Sequence, residues 1–337
     1  RGLGDVYKRQ RSVYFTCRNG GNRVDSADST FRMGGPEPAR RRKPNLSLPG
    51  MPTELSKDRR VKARTPVIEV GPAGSGGKGT LGGIAAVARE GLDCMEIPFT
   101  YGVRMGASMA EQAGALAREL RVRLSVHAPY YINLASREPE KVSASRQRLL
   151  EACHRAHLMG AGPVVFHPGF YQGRSEAAVY RLIRREIDTV QEAIEKACWQ
   201  VRLCPEITGK PSQFGSLEEI LALRADTGCG ITADFAHLYA RQQGEVDYGG
   251  IIAQLPEDFH AHFSGIAIGP KGEERHLPTT EAFFRPLADA LLSAAPRVRL
   301  ICESPRPLAD AVMMKRVLAE GGLHDVPRRA EPDIGVQ

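Results

Sequence analysis

The sequence predicts an α/β fold in which parallel strands and helices alternate to form one closed (β/α)8 barrel. Eight short apolar runs, typical of buried strands, alternate with eight helical segments whose apolar residues recur every three or four positions. The pattern extends over about 250 residues, the usual length of such a barrel. A doubly wound open sheet is the alternative, but it would scatter the polar residues that follow the strands over two faces.

The first four strand–helix units occupy the chain from residue 66 to about residue 197. In each unit a run rich in Val, Ile, Leu or Phe predicts a strand, and a longer periodic segment predicts the helix after it. The four pairs are PVIEV with TLGGIAAVAREG, CMEIPF with ASMAEQAGALAREL, RLSVH with EKVSASRQRLLEACHRAHLMG, and PVVFH with EAAVYRLIRREIDTVQEAIEKA.

The second four units repeat the pattern and complete the count of eight. Their pairs are VRLCPEI with SLEEILALRAD, GITADF with DYGGIIAQL, FHAHFSGIAI with TEAFFRPLADALLSA, and VRLICES with PLADAVMMKRVLAE. We therefore expect a barrel domain at residues 61–320, with a polar C-terminal tail at residues 321–337 that frays.

Residues 1–60 are expected to be a disordered or non-native basic tail. They mix Gly, Pro and Ser with the run Arg40–Lys43 and lack periodic apolar spacing, and a native start at Met33 or Met51 is possible. The tail holds 14 Lys and Arg against 6 Asp and Glu, a charge of +8, whereas the remaining residues hold 32 and 33. The overall charge of +7 is therefore weak evidence for nucleic-acid binding by the barrel itself.

Cysteine spacing and hydropathy predict a soluble cytoplasmic protein. The seven cysteines form no CxxC pair, which is typical of a reduced environment. No apolar run approaches the roughly 20 residues that cross a bilayer, so no membrane partner is expected. The segment GPAGSGGKGT departs from the phosphate-binding GxxxxGK[ST] pattern at Pro72 and Gly79, so no nucleotide cofactor is expected either.

Nine residues of metal-binding type stand at or just after the carboxyl ends of the predicted strands. Because these strand ends meet on one face of a barrel, we expect the nine side chains to share a pocket. Imidazoles and carboxylates together suit Zn²⁺, with Mn²⁺ or Fe²⁺ as substitutes. The candidate ligands are His127, His167, Glu206, Asp234, His237, His262, Glu274, His276 and Glu303.

Two close pairs and two carboxylates add detail to this expectation. Asp234 and His237, three residues apart, leave a strand into a turn and can enter one cleft, although alone such a pair is more often a helix cap with a surface histidine. Glu274 and His276 alternate in an extended loop and can point the same way. The carboxylates of Glu206 and Glu303 follow apolar runs, where burial without a cation would cost several kcal/mol.

The order of these residues resembles that of the endonuclease IV family of apurinic/apyrimidinic endonucleases. The resemblance covers about residues 66–320 and is closest to the shorter, archaeal-like form. Seven segments carry it in the family's order: HAPYYINLAS, VFHPG, PEITGK, DFAHLYA, HFSG, ERHLP and ESP. It departs at Glu274-Arg275-His276, where the family has Asp-x-His.

The resemblance implies a zinc enzyme of base excision repair that cleaves DNA on the 5′ side of an abasic site. It implies three zinc ions, attack by a metal-bridging hydroxide, and a catalytic role for Glu206 as the bridging ligand. The implied ligand sets are His127, His167 and Glu206 for one ion, Glu206, Asp234, His262 and Glu303 for a second, and His237, Glu274 and His276 for the third.

The implied partner is duplex DNA with abasic sites, bound by a protein expected to be a monomer. Tyr130 falls where the family has an aromatic residue that enters the duplex, although packing or solvent exposure explains Tyr130 and Tyr131 equally well from sequence. Lys210, Arg275 and Arg306 are the candidate phosphate contacts.

A sugar isomerase or epimerase with one or two divalent ions is the alternative function on the same kind of barrel. Such an enzyme needs about four metal-binding side chains, whereas nine candidates predict three ions. Another phosphoesterase, or a barrel that binds DNA without turnover, are further alternatives.

Overall fold

A computed structural model of the protein describes residues 65–323. Its strands are short and mostly buried, as the apolar runs predict. In chain order they are β1 (Val67–Pro72), β2 (Cys94–Pro98), β3 (Arg123–His127), β4 (Pro163–Phe166), β5 (Gly169–Phe170), β6 (Arg202–Pro205), β7 (Gln213–Phe214), β8 (Thr232–Asp234), β9 (Asp258–Phe263), β10 (Gly265–Gly269), β11 (Gly272–Leu277) and β12 (Arg297–Cys302).

The helices follow the barrel strands and cover their outer side. They are α1 (Gly79–Arg89), α2 (Ala107–Glu119), α3 (Pro139–Met159), α4 (Glu176–Lys196), α5 (Leu217–Thr227), α6 (Phe235–Arg241), α7 (Tyr248–Ile252), α8 (Glu281–Ala294) and α9 (Pro307–Glu320). Their buried faces consist mainly of small and aliphatic side chains that pack on the strands in one large core, and part of α6 packs in a smaller cluster with Ile266 of β10.

Eight parallel strands form the barrel. Two four-stranded sheets have the orders β2-β3-β4-β6 and β8-β9-β12-β1. Parallel bridges from Ala73 to Glu96 and from Glu206 to Thr232 join the two sheets at both seams. The predicted (β/α)8 TIM barrel is therefore confirmed, and it places the carboxyl ends of all eight strands on one face.

The structure differs from the predicted elements around β8 and β9. The residues after Asp234 form the short helix α6 where a turn was expected, and DYGGIIAQL yields only the five-residue helix α7. The predicted strand FHAHFSGIAI is divided at Ser264 into β9, which belongs to the barrel, and β10, which pairs with β11 in a separate antiparallel hairpin. Both differences concern segments that carry predicted site residues.

One close approach between neighbouring strands depends on a glycine. A Cβ atom added at Gly71 of β1 would overlap the carbonyl group of Cys94 in β2. Only a residue without a side chain lets the two strands meet there.

The expected tail at residues 1–60 lies outside the described residues, as do residues 324–337 of the expected C-terminal tail. Between residues 65 and 323, no helix is both long and apolar enough to cross a membrane.

Candidate metal centre

The predicted ligands gather at the carboxyl end of the barrel. His127 is the last residue of β3, His167 and Glu206 directly follow β4 and β6, and Asp234 ends β8. His262 is the penultimate residue of β9, and Glu303 directly follows β12. Because parallel strands end at a common rim, residues far apart in sequence become neighbours.

Glu206 lies at the centre of this group and is fully buried. Its Oε2 atom is 3.1 Å from Nε2 of His127 and 3.1 Å from Nε2 of His167. Its Oε1 atom is 3.1 Å from Nδ1 of His237 and 3.5 Å from Nδ1 of His262. The two oxygens of one carboxylate thus face two different pairs of imidazoles.

Asp234 and His237 are brought together by the start of α6. Asp234 is the N-cap residue, and its Oδ1 accepts the backbone N–H of His237 at 2.7 Å. The cap leaves Oδ2 of Asp234 at 3.2 Å from Nδ1 of His237 and 3.9 Å from Nδ1 of His262. His237 is buried, so the same spacing provides both a helix cap and a residue of the site.

His262 connects the centre to the last barrel strand. Its Nδ1 lies 3.5 Å from Oε1 of Glu303, which is partly buried. Glu206, Asp234, His262 and Glu303 form one group whose ligand-type atoms all lie within 4.8 Å of one another, and His127, His167 and Glu206 form a second such group. These are the first two ligand sets that the resemblance implies.

The third group contains Glu273 in place of the predicted Glu274. The Nε2 atom of His237 is 3.4 Å from Oε2 of Glu273, and Nε2 of His276 is 3.9 Å from Oε1 of the same residue. Glu274 is exposed and lies over Gly269. The placement of Glu274 in this set is therefore corrected.

A β-bulge in the hairpin explains this correction. Ile268 pairs with Glu273, whereas its neighbour Ala267 pairs with Arg275, so Glu274 is the extra residue of β11. The extra residue breaks the alternation of side chains, and Glu273 faces the barrel together with His276. Ser264 Oγ contacts Nδ1 of His276 at 2.6 Å and holds this ring in place.

Burial and mutual contacts shift the pKa values of the central groups. Burial opposes the charged form of Glu206, but the neighbouring imidazoles of His167 and His262 outweigh it and hold the pKa of Glu206 well below its usual range. Burial also opposes protonation of His127 and His237, yet Glu206 and Asp234 raise their pKa values to about 9 and about 10. The carboxylates therefore create a field that attracts positive charge.

Several buried atoms in this centre lack a hydrogen-bond partner within residues 65–323. They include Oε1 of Glu206, Oδ2 of Asp234 and Nδ1 of His262, which face one another across the pocket. Buried polar atoms without partners are costly, and a shared cation removes that cost. The imidazole and carboxylate donors fit Zn²⁺ or a similar first-row divalent ion.

Sequence reasoning missed Glu96 and His260, which lie beneath the centre inside the barrel. Glu96 is fully buried on β2, and its Oε2 accepts hydrogen bonds from Ser125 Oγ and from Nε2 of His260, each at 2.9 Å. Its Oε1 lies 3.1 Å from Nε2 of His262. The available signal was an acidic residue within an apolar strand, the same signal that singled out Glu206.

An exposed tyrosine lies beside two histidines of the centre. The Tyr130 ring is 53% exposed, and its centroid lies 5.4 Å from that of His127 and 5.8 Å from that of His167. Tyr131 and Tyr101 are also exposed, with centroids 6.5 Å apart, and Tyr101 was not predicted.

The predicted phosphate contacts are all accessible to solvent. Arg275 lies exposed on β11, and Lys210 is partly exposed in the loop after β6. Arg306 is exposed but paired with Asp310 at 3.3 Å.

Comparison with known proteins identifies the family. The family model described as xylose isomerase-like TIM barrel matches residues 84–320. The chain belongs to this family. A relative from Methanocaldococcus jannaschii, described as an uncharacterized protein, is 35% identical over 68% of this chain and 88% of its own length.

Similar proteins that are named as endonucleases support the more specific resemblance. A probable endonuclease 4 of Bifidobacterium longum is 30% identical over 47% of this chain, and the match spans 59% of that protein. The crystal structure of endonuclease IV from Thermus thermophilus aligns with a TM-score of 0.58 at 23% identity, covering 76% of this chain and 98% of that one. A structure titled D-tagatose 3-epimerase-like protein aligns equally well, with a TM-score of 0.58 at 19% identity over 75% and 96%. The resemblance to the endonuclease IV family is confirmed at modest identity, and the two structural alignments support the fold alone.

Proposed function

We propose that this protein is a zinc-dependent endonuclease that hydrolyses the DNA phosphodiester on the 5′ side of an abasic site. The endonuclease 4 relatives and the order of the site residues support this class of enzyme. The observation that carries the proposal is the position of Glu206, whose Oε2 lies near His127 and His167 of one ligand group and whose Oε1 lies near His262 of another.

Three groups of the chain's residues are proposed as places for a divalent cation, and a fourth group, Glu96 with His260 and His262, is assigned a supporting role behind them. His127, His167 and Glu206 would hold one, Glu206, Asp234, His262 and Glu303 a second, and His237, Glu273 and His276 a third. Bound zinc ions would neutralise phosphate charge and make a water molecule more acidic. Glu206 would fix the distance between two of these places, because its side chain is buried and cannot rotate into solvent.

The mouth of the centre suits a nucleic acid with a missing base. The exposed ring of Tyr130 lies over two of the histidines, where it can enter the gap left by the base. An abasic nucleotide is easier to turn out of the duplex because it has no base to unstack. Lys210 and Arg275 have accessible cationic side chains for the flanking phosphates.

The number of ligand-type residues favours this function over sugar epimerisation. The fold is equally similar to a D-tagatose 3-epimerase-like protein, so the barrel alone does not discriminate. An epimerase needs about four metal-binding side chains for one or two ions. Glu273 and His276 on the β10–β11 hairpin, together with His237, would add a further place for an ion.

Incision of a duplex oligonucleotide with one stable abasic analogue tests the proposal. The full chain is assayed as purified, after prolonged chelation, and after zinc add-back, and the cut position is read on a sequencing gel. We expect a single nick on the 5′ side that is lost with chelation and restored by zinc. Glu206→Gln should abolish the nick.

Glu69→Gln is the matched control, because Glu69 is a partly buried carboxylate on β1 that pairs with Arg123 and Arg299 and belongs to none of the ligand groups. It should retain incision. A protein that holds about three zinc ions yet leaves the duplex intact would contradict the proposed substrate. One or two bound ions with activity on a ketohexose would replace it with the epimerase function.

A further inference from the structure

A second candidate binding site lies between α3 and α4. The loop after β3, the segment between β5 and α4, and the N-terminal halves of α3 and α4 line a cavity of about 480 Å³. Four arginines line it: Arg137, Arg146, Arg174 and Arg185. We call this cavity the arginine pocket. The loops that form it also follow His127 and His167, so it opens on the same end of the barrel as the metal centre.

The positive charge of the arginine pocket is only partly balanced. Glu186 is the single acidic residue in its lining, and it is buried at 3% exposure. Both Nε and Nη2 of Arg146 contact its Oε2, at 3.0 and 2.8 Å, and Nη2 of Arg185 lies 3.4 Å from its Oε1. One carboxylate thus faces two guanidinium groups.

The other two arginines have neutral partners. Nη2 of Arg137 donates to the backbone oxygen of Gln172 at 2.7 Å, and Nη2 of Arg174 contacts Oε1 of the same glutamine at 3.5 Å. Nε of Arg174 is buried without an acceptor in the part of the chain that the structure describes. No described carboxylate forms an ion pair with either side chain. The pocket therefore has one unsatisfied buried donor, Nε of Arg174, and uncompensated positive charge.

We propose that the arginine pocket binds a phosphate group. Planar guanidinium groups present paired N–H donors that match phosphate oxygens, and Arg174 has a buried donor still unused. Leu134, Val142 and Leu182 form an apolar floor, which limits water and strengthens the attraction between ions. The phosphate has two possible sources: the backbone of a polynucleotide that crosses this end of the barrel, or a free phosphorylated small molecule.

The test uses the full chain and the double variant Arg137→Gln/Arg174→Gln. Binding of an undamaged 20-base-pair duplex is measured by fluorescence anisotropy at several salt concentrations, and binding of pyrophosphate is measured by calorimetry. The control is Arg184→Gln, on α4, because Arg184 lies outside the lining and pairs with Asp226 at 3.0 Å. Thermal unfolding curves verify that all three proteins are folded.

For a polynucleotide phosphate, the slope of log K against log salt should decrease by about 0.9 for each phosphate that the double variant no longer neutralises. For a free phosphorylated molecule, pyrophosphate affinity should fall while the duplex curves of wild type and variant coincide. The proposal would be overturned if the double variant had the same salt dependence of duplex binding and the same pyrophosphate affinity as the wild type. Because neither probe contains a lesion, the result is separate from the test of the proposed endonuclease activity.

Discussion

Glu96 Oε1 lies 3.1 Å from Nε2 of His262, on the side of the imidazole ring that faces away from Glu206 and Asp234. The other nitrogen, Nδ1, is the one directed to the metal centre. Carboxylates placed behind a ligand histidine fix the orientation of its ring and make it a stronger donor. His260 and Ser125 in turn hold Glu96 through its second oxygen.

Glu96→Gln should therefore weaken metal binding without unfolding the barrel. Glutamine retains the size of the side chain but removes the charge that attracts the N–H of His262. We expect the zinc affinity of the weakest of the proposed sites to fall about 10- to 100-fold. Competition with a chromophoric chelator measures this affinity directly.

Glu69→Gln is again the control for the loss of a carboxylate inside the fold, and it should leave zinc affinity unchanged. Equal affinities in Glu96→Gln and wild type would show that Glu96 has no role in holding His262. A fourth ion in wild type that disappears in the variant, with the others unaffected, would identify Glu96 as a ligand instead.

Alanine variants of the two adjacent glutamates in β11 test the corrected third ligand set. Glu273 faces His237 and His276, whereas Glu274 is the exposed bulge residue. We expect Glu273→Ala to reduce bound zinc from about three ions per chain to two, and Glu274→Ala to leave it unchanged. Inductively coupled plasma mass spectrometry gives the count, and the reverse order of effects would refute the assignment.

The barrel and most of its centre were predictable because they depend on local pattern and one topological rule. Apolar runs that alternate with helical periods predict the strands, and the shared rim of a parallel barrel brings their ends together. Eight of the nine predicted ligands accordingly fall in the groups that the structure brings together. The rule needs no knowledge of individual contacts.

The pairing register of the β10–β11 hairpin and the buried contacts inside the barrel were not predictable in the same way. In GEERHL, strict alternation points to Glu274, and only the pairing with β10 reveals the bulge that selects Glu273. Glu96 and His260 lie on β2 and β9, which are not adjacent in the barrel, so their contact depends on its closure. Such contacts depend on tertiary packing, which a local pattern does not encode.

Gly71→Ala should destabilise the barrel strongly. A methyl group at this position would overlap the Cys94 carbonyl of the neighbouring strand, so β1 and β2 would have to separate. We expect the free energy of unfolding to fall by about 3 kcal/mol or more. Gly162→Ala is the control, because its added methyl would meet no atom within 4 Å, and urea titrations of both should differ accordingly.

Tyr130→Ala should weaken binding to a duplex that contains an abasic analogue. The exposed ring at the mouth of the centre would no longer fill the gap in the base stack, at a loss of about 1–3 kcal/mol of binding free energy. Zinc content should stay at the wild-type value, and Tyr130→Phe should bind as wild type does if the ring alone matters. Loss of zinc in the alanine variant would instead give Tyr130 a structural role.

Zinc binding at pH 7 should release protons from the centre. In the metal-free chain the pKa of His127 is about 9 and that of His237 about 10, because Glu206 and Asp234 outweigh the effect of burial. Both rings are therefore protonated at pH 7, and each must become neutral before it can bind an ion. Apparent zinc affinity should rise as pH increases toward 9 and 10, and the number of released protons should decline above that range. Calorimetry in two buffers of different ionisation enthalpy counts these protons, and zinc binding at pH 7 without proton release would show that both rings are neutral before the metal arrives.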